Sequence, residues 1–180
     1  GDGAHNLIQC AEQLEGPVEI LEQTYSNCTW QNETLGAAQG TARGSAGALT
    51  DLGFRLGLLG YPSERTVDDD TIPKTALQYI ENHDHSRFVC NFGTTAADND
   101  LLREAVRDRW YKVQPYLIAL MTGRGIPMLW QGQELGENYF VPESGFGRVA
   151  LFRPVRWDYF YDHIGRSAIS LVRKLVALRR

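Results

Sequence analysis

The stretch that decides the fold is ALQYIENHDHSRF, residues 76–88. It begins with a short apolar run of strand-like composition, and a cluster of histidine, aspartate, glutamate and arginine side chains follows at once. On a regular strand His83 and Asp84 would face opposite sides of the sheet, so both reach one ligand only if the strand stops and the chain bends here. The pattern therefore predicts a buried strand over 76–82 that delivers polar side chains at its C-terminal end.

Working outward from this stretch, the chain repeats the order of strand and helix. Further strands are predicted over 4–11 (AHNLIQCA), 25–30 and 126–131 (IPMLWQ). Helices are predicted from residue 32 to about 60 with interruptions, over 98–121 with a kink at Pro115, and over 166–180 as an amphipathic segment. The pattern of four β-α units predicts an α/β fold with a parallel sheet and helices outside it.

Polar residues stand at the C-terminal ends of several predicted strands, namely Glu12, the His83-Asp84 pair and residues 131–134. Functional residues of (β/α) barrels come from such positions, so a TIM-type barrel is favoured. The alternative is an open, doubly wound sheet that binds a dinucleotide. That fold requires a glycine-rich phosphate turn after the first strand, and residues 10–16 (CAEQLEG) contain none.

The composition is that of an ordinary globular domain, with 43% hydrophobic and 22% charged residues among 180. A net charge of -4 without Lys/Arg blocks gives no basic surface for nucleic acid or an anionic membrane, so we expect a neutral substrate. No apolar run is long enough to span a membrane and the first 30 residues do not resemble a signal peptide, so we expect a cytoplasmic protein. Cys10, Cys28 and Cys90 are predicted to be buried, reduced thiols.

Three stretches, CAEQ (10–13), ENHDHSRF (81–88) and GIPMLWQGQE (125–134), resemble in this order the α-amylase family of retaining glycoside hydrolases and transglycosylases. The family's seventh barrel strand ends in Asn-His-Asp-x-x-Arg, matched here by Asn82, His83, Asp84 and Arg87. Its eighth strand carries Gly-x-Pro-x-x-x-x-Gly-x-Glu, matched by Gly125, Pro127, Gly132 and Glu134. The resemblance implies that residues 1–180 form the C-terminal half of a TIM-type (β/α)8 barrel, with strands five to eight and their helices, and that the N-terminal half is absent from this chain.

The resemblance also implies roles for the matched residues. Retaining glycosidases use one carboxylic acid to protonate the leaving oxygen and one carboxylate as nucleophile. Glu12 would be the proton donor, with its pKa raised by a partly desolvated cleft. Asp84 would also be a catalytic residue, through its hold on the sugar ring and not as the nucleophile. His83, Asn82 and Arg87 would bind the sugar that is cleaved, and His83 and Asp84 would fix and distort its ring.

Each assignment has an alternative. Glu12 could be a solvated glutamate in the first turn of a helix, and His83 with Asp84 could form only a hydrogen-bonded turn. Arg87 is equally suited to an ion pair that positions carboxylates. No metal site is predicted, because no second ligand cluster accompanies His83-x-His85.

The family's nucleophile is an aspartate upstream of the acid/base glutamate, in a Gly-Phe-Arg-x-Asp context. GFRLG (53–57) imitates this motif, but it places Gly57 at the aspartate position and lies downstream of Glu12. We therefore expect part of an enzyme of carbohydrate metabolism that acts on α-linked glucans. The isolated chain would self-associate and be inactive. The alternative is a non-catalytic glucan-binding or assembly module. No cofactor is implied, and the family's calcium ligands lie largely in the other half of the barrel.

Overall fold

The computed structural model describes residues 7–67, 69–150 and 152–180. Its strands are β1 (Cys10–Ala11), β2 (Cys28–Trp30), β3 (Glu64–Val67), β4 (Asp70–Pro73), β5 (Thr75–Gln78) and β6 (Ile126–Pro127). Four of them form a parallel sheet in the order β1-β2-β5-β6, and β3 and β4 form a separate antiparallel hairpin. The chain is thus mixed α/β with a parallel sheet, as the sequence predicts.

The helices are α1 (Pro17–Gln23), α2 (Asn32–Ala42), α3 (Ala48–Gly57), α4 (Gln114–Thr122), α5 (Phe146–Ala150) and α6 (His163–Arg179). Short 3-10 helices occupy Phe88–Phe92, Asp100–Leu102, Arg107–Val113, Gln133–Leu135 and Trp157–Tyr161. In the part of the chain that the structure describes, no helix combines the length and the apolar character needed to cross a membrane.

The parallel order of the sheet brings the C-terminal ends of its strands to one edge. Backbone hydrogen bonds extend the pairing past the strand ends: Gln31 N donates to Leu77 O at 3.0 Å, and Met128 N donates to Gln78 O at 2.7 Å. The residues that follow β1, β2, β5 and β6 therefore share this edge, called here the C-terminal edge.

A hydrophobic core joins the end of β5 to helices α2, α3, α4 and α6. Ile80, Phe88 and Leu117 lie in it with at most 2% exposure. Helix α6 contributes its buried face, Ala168, Val172 and Leu175, at helical spacing. This core anchors both ends of segment 80–88, which carries the polar cluster.

The strands are shorter than the apolar runs predict. β5 ends at Gln78 instead of Asn82, and β6 ends at Pro127 instead of Gln131. Each strand ends here because its neighbour has already passed into a loop and no further strand-to-strand hydrogen bonds can form. β1 covers only Cys10–Ala11 of the predicted strand 4–11, of which residues 4–6 lie outside the described residues. The weak strand predicted over 25–30 is reduced to β2.

The helix predictions are confirmed in one part of the chain and partly wrong in another. The interrupted helix over 32–60 is confirmed as α2 and α3, separated by a turn in which Gly44 and Gly47 have positive φ angles. A helix over 98–121 is wrong over 98–106, apart from the 3-10 turn Asp100–Leu102: Ala105 N donates to Asn138 O at 2.7 Å and Val106 N to Gly93 O at 3.2 Å, so distant partners take these amides. Residues Arg107–Val113 form a 3-10 helix that leads directly into α4. Pro115 begins α4 instead of kinking it. Helix α1 and the β3-β4 hairpin were not predicted.

The prediction that all three cysteines are buried is confirmed only for Cys28 on β2, and Cys90 is partly buried. The Cys10 side chain is exposed, since β1 is an outer strand of the sheet. Cys10 and Cys28 are partners in the register of the two strands, and all three thiols are free.

Candidate functional site

Three of the predicted site residues meet at the C-terminal edge. Glu12 follows β1 and the pair His83-Asp84 follows β5, yet one ligand atom from each residue lies within 4.8 Å of the other two. His83 Nε2 is 3.5 Å from Asp84 Oδ2, and these two side chains are 48% and 41% exposed. The structure thus brings together an acid, an imidazole and a second acid at a surface that solvent reaches.

The structure does not place Glu12 in the first turn of a helix, which was its alternative role. Helix α1 begins only at Pro17, and the acidic residue of its first turn is Glu19. Glu12 therefore stands in the connection between β1 and α1, not in a helical turn.

Asn82 fixes the turn that presents His83 and Asp84. Its side-chain oxygen accepts a hydrogen bond from Asp84 N at 3.0 Å and lies 2.7 Å from His85 Nδ1. Because an amide oxygen can only accept, Nδ1 of His85 carries the proton. Asn82 is 2% exposed, so its oxygen serves this turn and does not line the open surface as a sugar-binding group would.

Two tryptophans lie beside His83, and sequence reasoning missed both. The ring centroid of Trp30 is 5.9 Å from that of His83 and the centroid of Trp130 is 5.8 Å from it. Trp130 is held by a hydrogen bond from Nε1 to the Tyr139 hydroxyl at 3.0 Å. The available signal was position: both tryptophans stand at or next to the end of a predicted apolar strand on this edge.

Tyr79 packs against this aromatic frame, with its ring centroid 5.3 Å from that of Trp30. It is fully buried, and its hydroxyl lies 3.4 Å from Asn32 Oδ1. Burial, and secondarily the charges of Glu12 and Asp84, raise the pKa of Tyr79 far above its ordinary value. The phenol is therefore neutral and supports the frame as a hydrogen-bonding group.

Arg87 is an internal ion-pair partner. Its side chain is 1% exposed, with Nη1 2.8 Å from Glu81 Oε2 and Nη2 2.6 Å from Glu137 Oε2. Nη2 also donates to the backbone carbonyl of Gln131, and the guanidinium lies 4.6 Å from the centroid of the Tyr139 ring. Of the two roles that the sequence left open for Arg87, this geometry favours the positioning of carboxylates over contact with a sugar.

The two carboxylates that pair with Arg87 were not identified from the sequence. Glu81 also accepts a hydrogen bond from Phe88 N at 2.8 Å, which joins the two ends of segment 81–88. Burial raises the pKa of Glu81 and outweighs the opposing effect of the Arg87 charge. Glu137 accepts from Arg156 N at 2.7 Å. We call Glu81, Arg87 and Glu137 the buried triad; it ties the end of β5 to the segment after β6.

Gly132 makes room for the buried triad. Its φ angle is 82°, and a Cβ atom built on it would lie 2.3 Å from the carboxylate carbon of Glu137. Glycine is therefore required here both for backbone conformation and for space.

Glu12, His83 and Asp84 could also hold a metal ion, since each offers one ligand atom within reach of the others. The ring nitrogen of His83 that faces Asp84 would have to serve the ion, and the rings of Trp30 and Trp130 lie beside the same imidazole. Flat aromatic faces beside polar groups suit an organic ligand with one apolar face.

The same arrangement can perform acid-base chemistry, because two carboxyl groups and an imidazole reach one small volume. Comparison with known proteins adds no identification: no family model matches this chain, and no curated protein sequence matches it.

Proposed function

We propose that this chain is part of a retaining glycoside hydrolase or transglycosylase of the α-amylase family that acts on α-linked glucans. The observation that carries the proposal is the meeting of Glu12, His83 and Asp84 within 4.8 Å, with the rings of Trp30 and Trp130 beside His83. The sheet would correspond to strands five to eight of a (β/α)8 barrel. Its parallel strands in chain order, with polar residues at the C-terminal edge, support this correspondence.

In this proposal the residues divide the work of glycosyl transfer. Glu12 donates a proton to the leaving oxygen and takes one back from the incoming hydroxyl. Asp84 and His83 bind hydroxyls of the sugar ring and help only insofar as these bonds strengthen in the oxocarbenium-like transition state. The nucleophilic carboxylate would come from a barrel strand outside this chain, about 5–5.5 Å from the acid/base group.

The tryptophans suit a sugar for a physical reason. One face of a pyranose ring carries mainly C–H groups and packs well on an indole, while its hydroxyls need polar partners at the rim. Trp30 and Trp130 supply such surfaces on two sides of His83, and Glu12 and Asp84 supply the polar partners.

The margins of the sheet support a larger assembly. β1 and β6 each have a strand partner on one side only within the described sheet. Leu7 and Ile8, which precede β1, are 66% and 61% exposed. Exposed apolar residues beside an unpaired strand favour association, either with the rest of a barrel or between isolated chains.

The test is made in the complete enzyme with maltooligosaccharides and with an aryl α-glucoside whose leaving group needs no protonation. Glu12→Gln should lower maltooligosaccharide turnover by about 100- to 10,000-fold, the usual contribution of acid-base catalysis. Turnover of the activated aryl glucoside should fall less, because its leaving group departs without a proton. Glu15→Gln is the matched control, since Glu15 is an exposed carboxylate in the same connection.

The outcomes separate the candidate functions. Unchanged turnover of both substrates by Glu12→Gln would refute the assignment of Glu12. Glucan binding without turnover in the complete protein would instead support the non-catalytic binding module. We expect the 180-residue chain alone to show no turnover and to self-associate in sedimentation experiments.

A further inference from the structure

A groove of about 590 Å³ lies along helix α6 and contains none of the site residues described above. Its helical wall stands at positions i, i+3, i+4, i+7 and i+8, which share one face of the helix: Arg166, Ile169, Ser170, Arg173 and Lys174. The volume falls within the range of about 300–1,000 Å³ that is usual for small-molecule sites.

The helical wall is strongly basic. Helix α6 contains no aspartate or glutamate, and three of its cationic residues, Arg166, Arg173 and Lys174, line the groove. Within residues 7–67, 69–150 and 152–180, none of these three forms an ion pair. They do not form a block in the sequence, and only the helix collects them on one face.

The nearest carboxylates are engaged elsewhere. Asp162 caps α6 by accepting a hydrogen bond from Gly165 N at 2.7 Å, and it also pairs with Arg107. Asp158 lies 3.3 Å from Nε of Arg156. The chain as a whole has a net charge of -4, so this groove is a local departure from its average charge. The three cations therefore favour an anionic ligand.

Two exposed aromatic rings line the groove beside the start of α6. Phe160 and Tyr161 are 43% and 71% exposed. Their ring centroids lie 5.3 Å apart with an interplanar angle of 75°, which is an edge-to-face arrangement. Such a pair leaves ring surface free for a planar ligand group, and nucleobases stack on aromatic side chains in this way. Partly buried Ile169 adds apolar surface to the same groove.

The extent of the basic surface favours a compact ligand over a long polyanion. From Arg166 to Lys174 the helix rises by only about 12 Å. A nucleic-acid strand would extend past this stretch and meet a chain of negative net charge, which repels it. A ligand that joins one planar ring to two phosphate groups places both parts within the groove.

We propose that the α6 groove binds a nucleoside diphosphate. Its base stacks on Phe160 and Tyr161, and its phosphates contact Arg173 and Lys174 in the following turns of the helix. The inference does not rest on the proposed function, because the groove shares no residue with the site at the C-terminal edge.

Isothermal titration calorimetry on the full 180-residue chain tests this with three probes: ADP, adenosine and pyrophosphate. Adenosine keeps the ring system without phosphates, and pyrophosphate keeps the two phosphates without the ring system. We expect ADP to bind at least about tenfold tighter than either fragment, because only ADP uses both parts of the groove.

Two variants separate the two parts of the groove. Arg173→Gln together with Lys174→Gln should weaken ADP at least about tenfold and change the Kd of adenosine by less than about twofold. Tyr161→Ala should weaken both ADP and adenosine about tenfold and leave pyrophosphate unchanged. The matched control is Arg109→Gln together with Lys112→Gln, which removes the same charge from another exposed surface and should change no Kd. Far-UV circular dichroism verifies that each variant is folded.

Four results would overturn the inference. Failure of ADP to bind the folded chain would remove the site. Pyrophosphate that binds as tightly as ADP, with ADP unaffected by Tyr161→Ala, would show an anion surface without a ring site. Equal weakening of ADP by the two double variants would show that net charge, and not this groove, attracts the ligand. A single-stranded oligonucleotide that binds tighter than ADP, and loses this affinity in the Arg173→Gln, Lys174→Gln variant, would show a nucleic-acid surface instead.

Discussion

The Arg87→Met substitution keeps an extended, apolar side chain of similar reach and deletes the charge between Glu81 and Glu137. Both carboxylates are nearly inaccessible to solvent, with side-chain exposures of 4% and 2%, so water cannot replace the lost guanidinium. We expect the substitution to lower the free energy of unfolding by far more than a surface ion pair contributes.

The magnitude follows from the geometry. Removing one partner of a buried ion pair typically costs about 3–5 kcal/mol, because an uncompensated charge stays buried. Here a single guanidinium serves two carboxylates and the carbonyl of Gln131, so we expect the upper part of this range. Such a loss is a large share of the ~5–15 kcal/mol by which domains are usually stable.

Urea denaturation followed by circular dichroism measures the effect, with Arg55→Met as the matched control. Arg55 pairs with Glu33 and Asp51 at the surface, where its side chain is 32% exposed, and such pairs contribute about 0–1 kcal/mol. If Arg87→Met and Arg55→Met shifted the unfolding free energy by the same amount, the reasoning about the buried triad would be refuted.

The stability that Arg87→Met removes should also depend on pH. The pKa of Glu81 in the folded chain lies above its ordinary value of 4.5. The folded chain is therefore most stable, as far as Glu81 is concerned, below pH 4.5, and it loses this stability as the pH rises through the folded pKa of Glu81. Arg87 holds this pKa down, and its removal raises the pKa further. The destabilisation by Arg87→Met should therefore be larger at pH 8 than at pH 5.

Three more predictions concern the surroundings of the site. Gly132→Ala should destabilise the chain by at least ~1 kcal/mol more than Gly44→Ala in urea denaturation, because both positions have positive φ angles but only the first would meet a carboxylate; equal losses would contradict this. Mild oxidation should join Cys10 and Cys28, which are register partners on strands about 4.8 Å apart, and mass spectrometry of digests would detect the disulfide or its absence. Trp30→Ala should weaken maltotriose binding about tenfold in calorimetry, and an unchanged Kd would exclude stacking on this ring.

The positions of the parallel strands could be predicted, because apolar runs such as 76–80 and 126–130 are visible in the sequence. Their ends could not, because a strand ends where its neighbour stops offering hydrogen bonds, and β1 and β6 have only two residues each. Segment 98–106 differs from its predicted helix for a related reason. Its apolar residues have helical spacing, but its Ala105 and Val106 amides donate to the distant carbonyls of Asn138 and Gly93.

Within the site, Glu12, His83 and Asp84 could be placed at one edge because each follows a predicted strand. The pairing of Arg87 with Glu137 could not be foreseen, since the two residues are distant in the chain and nothing local marks Glu137 as a partner. Helix α2 was predicted among the helices outside the sheet, and only the tertiary structure shows that Gln39 and Arg43 line a cavity.

The chain order of the sheet has a consequence for how the protein folds. Each strand of the sheet pairs with the one that precedes it in the sheet, so the strands can be added one after another without threading. The pairing of Cys10 with Cys28 closes a much shorter loop than that of Leu77 with Ile126, although each doubling of loop length costs only ~0.6 kcal/mol. Loop closure therefore favours early β1-β2 contact only slightly. Ile80, which follows β5, shares one hydrophobic core with Phe88 and Leu117, so we expect collapse of that core to stabilise the pairing of β5 more than loop closure does.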